Sequence, residues 1–182
     1  MSTLQCIERC TRLPPDTSTG FPWTLASSVV EAAVNADQSE ITHPSPVWKE
    51  RADFIIGVQL DDGGSEQLWA RQLDAFRFEI CCIPFFAYDL ALGDVVETTE
   101  RFELARVLEP SGRYVFRVWL GDSSLSGDAV ANELVEIGAV VEWSSANLLA
   151  IDASSEDLAQ RIADYLHERE RQGQLTYETG RS

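Results

Sequence analysis

Long hydrophobic runs are missing from this chain, and so, very nearly, is lysine. No apolar stretch approaches the roughly 20 residues that a membrane helix needs. The first residues lack a basic start followed by an apolar segment, so no secretory signal is expected and the expected residence is the cytoplasm. Lys49 is the single lysine of 182 residues, and Lys and Arg together number 14 against 30 Asp and Glu, a net charge of −16. A field of that sign repels phosphate backbones and anionic lipid, which argues against nucleic-acid and membrane partners and favours encounter with a basic protein. The plainer account of the charge is solubility.

Cysteine is scarce as well. Cys81 and Cys82 are sequence neighbours on an expected strand, so their side chains point to opposite faces and form no bridge. Cys6 and Cys10 would share a face of a helix, yet no second Cys/His pair completes a zinc site, and His43 and His167 lie apart in unlike surroundings. The four thiols read as structural. No phosphate-binding loop, nucleophile motif or metal cluster is present, so no cofactor is expected and no catalytic residue can be named.

Apolar residues make up 45% of the chain, enough for a true core. Residues 1–49 read as an arm, partly ordered, with one short helix over Leu25–Ala36 between loops at Leu13–Gly20 and Thr42–Pro46. From Ala52 the period changes to two. Phe54, Ile56 and Val58 alternate with Ile55, Gly57 and Gln59, and Asp61-Asp62-Gly63-Gly64 is a hairpin signal. Strands follow at Gln67–Leu73, Phe76–Cys81, Val95–Val96 and Phe102–Leu108. Five short strands joined by tight turns predict a small antiparallel β-barrel over residues 50–112.

The remainder, 113–182, reads strand, helix, strand, strand, helix, strand. Tyr114–Leu120 opens it. A first helix carries Val130, Leu134, Val135 and Ile137 on its apolar side and ends at Gly138. A hairpin turns at Ser144–Asn147. The second helix is capped by Ser154 or Ser155 and buries Leu158, Ile162, Tyr165 and Leu166. That order is the ferredoxin-like βαββαβ plan, making the chain α+β, a small barrel followed by a ferredoxin-like domain.

Several groups invite a chemical reading that a structural one answers better. Asp61 and Asp62 with Glu66 resemble a cation site, but a hydrated hairpin tip accounts for them. Gly93-Asp94 resembles a phosphate turn, but Asp94 is better used accepting backbone amides with Gly93 at positive φ. Arg113 suits a carboxylate ligand or an ion pair with Glu109 or another of the many acids. Cys81 and Cys82 have only Glu79 and Asp89 nearby, which does not activate a thiol. The candidate ligand-binding set is Phe85, Phe86, Tyr88, Asp94, Arg113 and Trp119, with core packing as the alternative for each aromatic.

Leu68-Trp69-Ala70, Ile83-Pro84-Phe85-Phe86-Ala87-Tyr88, Leu92-Gly93-Asp94-Val95-Val96 and Ser111-Gly112-Arg113 together carry a resemblance. Over residues 52–120 the chain resembles the bacterial family called domain of unknown function 4265. That family implies no activity. The expectation for function is therefore a non-enzymatic binding or regulatory protein acting through an acidic surface, immunity-like toward a basic partner. The alternative is a small-molecule sensor with its ligand at the junction of the two units.

Overall fold

The computed structural model describes residues 40–61, 63–121 and 126–180. The expected helix over 25–36, and Cys6 and Cys10, lie outside them. Strands β1 (Phe54–Gln59), β2 (Ser65–Gln72), β3 (Arg77–Ile80), β4 (Val95–Thr98) and β5 (Leu104–Glu109) form one sheet in chain order. Every neighbouring pair is antiparallel. The period-two pattern puts Ile56, Val58, Leu68, Ala70, Phe78, Ile80 and Val96 on one face, where they form a single core.

The expected barrel is met by an open sheet. Two register shifts between β4 and β5 curl the meander. The edges then touch at one point, where Gly57 donates to the Phe102 carbonyl at 2.9 Å. No ladder joins β1 to β5. Phe102 was expected to start the last strand. It instead takes φ 60 and turns its ring between Phe54 and Phe78, at centroid distances of 4.7 and 6.1 Å, so pairing begins two residues later.

The second sheet holds β6 (Tyr114–Trp119), β7 (Val140–Trp143), β8 (Leu148–Ala153) and β9 (Thr176–Thr179), ordered β7-β8-β6-β9 and antiparallel throughout. Helices α1 (Gly127–Ile137) and α2 (Glu156–Arg171) pack their apolar stripes into one core with Phe116, Val118, Leu149 and Ile151. Gly138 closes α1 at φ 110, and the Ser155 side chain accepts the Leu158 amide at the start of α2. Val135 departs from expectation and is 56% exposed. At 100° per residue it falls about 140° round the helix from Val130, off the buried stripe.

The other face of this sheet is covered too. Val115 and Ala150 pack against Ile83, Phe85, Ala91 and Leu92 of the β3–β4 crossing, with Ile41, Val47 and Trp48 beside them. Mixed α+β with two antiparallel sheets and two helices is therefore the architecture, and the crossing plus residues 40–51 fill the seam between the sheets.

Candidate functional site

The seam encloses charge. His43, from the segment before β1, stands between Glu66 of β2 and Glu142 of β7, and all three side chains are fully shielded from solvent. His43 Nδ1 is 2.5 Å from Glu142 Oε1, and Nε2 is 2.9 Å from Glu66 Oε1. Both ring nitrogens face carboxylates, so the imidazolium form, which donates from both, satisfies the geometry. Burial works against that proton. Hydrogen bonds from the ring to Cys82, Glu142 and Glu66 outweigh it and raise the His43 pKa to about 11. Burial likewise pushes Glu66 up, but His43 and the backbone amides bring it below the ordinary carboxylate range.

The carboxylates also organise the chain. Glu66 accepts the amides of Phe85, Phe86 and Ala87 at 2.6, 3.0 and 2.8 Å. Glu142 accepts those of Ile83 and Val47 at 3.0 and 3.3 Å. The crossing Ile83–Ala87 has no strand partner, and this is where its backbone donors go. Phe85 stacks on the His43 ring with centroids 4.1 Å apart, and Trp69 Nε1 donates to the His43 carbonyl. Every oxygen of both acids is engaged and no solvent reaches them. The cluster can lock the seam; it presents no acid or base to a ligand. Among the described residues no group of three or more His, Cys, Asp or Glu is arranged to hold a metal ion.

Two readings of the sequence are corrected here. Glu66 is not at a hydrated hairpin tip; β2 begins at Ser65, and its alternation turns Glu66 inward. His43 is not isolated; the chain outside the sheets brings it to two acids 23 and 99 residues away. Spacing alone carries no sign of either contact. A hint existed in Glu66 and Glu142 each occupying an inward strand position, where an acid needs a partner.

The six residues singled out in the sequence do not converge. Phe85 is buried against His43. Asp94 is buried and accepts the Ala91 and Ser111 amides at 2.9 and 2.6 Å, with Gly93 at φ 82, which is the turn role weighed against phosphate binding. Arg113 pairs with Asp152, Nε to Oδ1 at 2.7 Å, and not with Glu109. Register explains that choice, because Val115 faces Asp152 across β6 and β8, and Arg113, two residues before Val115 on the same face, is a diagonal neighbour of Asp152. Burial pushes the Asp152 carboxyl up, and Arg113 opposes the shift. Trp119 sits at the far end of β6, lining a shallow hollow with Glu170 and Thr176. Phe86 and Tyr88 share a cleft of about 420 Å³ that also touches Leu104 and Glu178.

Both central cysteines are buried. Burial and the nearby Glu79 push Cys81 up to about 11, and burial raises Cys82 despite the opposing His43. Neither thiol should react with N-ethylmaleimide in native protein, and both should react once urea unfolds it, read peptide by peptide by mass spectrometry. Rapid native labelling of Cys82 would show that the seam opens.

Residues 66–177 match the profile of a family described as Domain of unknown function (DUF4265). No curated protein matches the chain. Among solved structures, the crystal structure of a hypothetical protein from Neisseria gonorrhoeae superposes with a TM-score of 0.58 at 18% identity, covering 70% of this chain and 95% of that one. At that identity the likeness concerns the fold.

Proposed function

We propose, on the premise that this chain belongs to the DUF4265 family, that it is a non-enzymatic binding or regulatory module. It engages a basic partner protein through its acidic surface, in the manner of an immunity protein. One observation carries the reading: the chain's central acid–base constellation, His43 with Glu66 and Glu142, is sealed and used up in holding backbone. Chemistry at the seam has no access, whereas a net charge of −16 acts on the surroundings. On the same reading the protein is cytoplasmic. The strand order β7-β8-β6-β9, with both helices in one core, supports a ferredoxin-like second unit over 113–182. The curled meander supports a barrel-like first unit over 50–112. No helix among the described residues is long and apolar enough to cross a membrane.

The test mixes the full chain with proteins encoded beside it and measures the dissociation constant against ionic strength. Binding should weaken steadily as salt rises from about 0.05 to 0.5 M, because the screening length shrinks several-fold over that range. Absent association, or affinity indifferent to salt, counts against the proposal. The cleft beside Phe86 and Tyr88 favours a second reading, a small-molecule sensor. A metabolite that raises the melting temperature of the isolated protein would move the balance to it.

A further inference from the structure

The cleft beside the seam combines three features that together specify an occupant. Its wall is apolar, from Phe86, Leu104 and the Tyr88 ring. Its rim carries Asp61, Asp89 and Glu178, and no basic side chain is among the described residues that line it. Tyr88, although 50% exposed, is pinned. Its hydroxyl donates to Glu178 Oε1 at 2.9 Å, and its ring lies 4.4 Å from the Arg117 guanidinium. Arg117 is itself buried, donates to the Ala87 carbonyl and pairs with Glu178 at 3.2 Å. The next amide, Asp89 N, donates to the Gly180 carbonyl at 2.8 Å and ties this corner to the second sheet.

An exposed aromatic held this way loses little conformational freedom when something packs on it, which is the property of an interface anchor. Arg117 already occupies the ring as a cation partner. A second cation therefore gains more from the rim carboxylates than from Tyr88. Apolar contact and positive charge are thus wanted side by side, at different points of one cleft.

We infer that this cleft is the docking pocket for a basic segment of a partner protein. One apolar side chain of that segment lies on Tyr88 and Leu104, and the lysine or arginine next to it faces Asp61, while Glu178, already paired with Arg117, adds to the field. The inference rests on the binding-module reading above and gives that reading a place and a partner chemistry.

The experiment titrates the 15N-labelled full chain with acetyl-Lys-Leu-Lys amide and follows backbone amide shifts. Acetyl-Glu-Leu-Glu amide and n-butylammonium serve as controls for charge sign and for charge without a peptide. Shifts should concentrate at Gln59–Asp61, Phe86–Asp89, Leu104 and Glu178, with no response to the acidic peptide. Tyr88→Ala should weaken the fitted affinity at least about tenfold and Glu178→Gln about threefold. Leu104→Ser provides an independent variant should Tyr88→Ala lose its spectral dispersion. Shifts on another acidic face, shifts undiminished in the variants, or an equal response to n-butylammonium would overturn the pocket. No response to the basic peptide at millimolar concentration overturns it as well. Salt-dependent capture of a neighbour-encoded partner would in that case leave the binding-module reading standing, so the two fail separately.

Discussion

His43→Ala should cost about 3–5 kcal/mol of unfolding free energy, the range found when one member of a buried ion pair is removed. That is a large part of the roughly 5–15 kcal/mol by which a domain is stable. The size follows from what remains rather than from what is lost. Glu66 and Glu142 would face each other across the seam with no cation between them, although each still accepts backbone amides. Urea unfolding monitored by tryptophan fluorescence reads the effect. The deficit should shrink when Glu142→Gln is added to His43→Ala, since that exchange removes one stranded charge, and the double-mutant cycle reports the coupling. A single-variant loss below about 1 kcal/mol would show that the acids find another way to be neutralised.

The second large effect is a fall in stability as pH rises above neutrality. His43 is raised from 6.5 to about 11 in the folded state. Between those values the native protein holds a proton that the unfolded chain has released. The contribution of His43 is therefore complete below pH 6.5 and is lost as pH climbs through the folded value. The slope is about −1.4 kcal/mol per pH unit. Glu66 acts in the opposite sense: its depressed pKa stabilises above the ordinary 4.5 and that contribution is lost as pH falls through the folded value. Urea midpoints between about pH 7 and 8 report mainly His43, because the raised thiols of Cys81 and Cys82 add a slope of the same sign only as unfolded cysteine begins to ionise, at about 8.5. A flat profile there would sink the imidazolium assignment, and His43→Gln should flatten a sloping one.

Features that depend on near neighbours were legible before any coordinates. Gly93-Asp94 reads as a turn because an Asp side chain reaches amides a few residues away, and the Ala91 amide is three residues off. Gly138 and Ser155 mark helix ends because capping is local. The succession of strands and helices after Arg113 follows from its alternation of periods. The seam was not legible. Its bonds join residues 23, 59, 95 and 99 apart, and nothing in the spacing of one segment announces the other. Arg113 illustrates the limit: the near acid Glu109 was available, and cross-strand register chose Asp152 instead. The run Ile83–Tyr88 carries the family resemblance and the candidate aromatics, whereas its amides bind Glu66 and Glu142, a role that its side chains do not announce.

Ile41 and His43 precede the stretch by which the family is recognised, residues 66–177, yet Ile41 bridges to Glu66 and His43 neutralises it. The recognisable segment is shorter than the foldable one. A truncation drawn along the line of resemblance would deliver both anions and leave their counter-ion behind, together with β1. Expression boundaries for this protein belong upstream of the short bridge at Ile41.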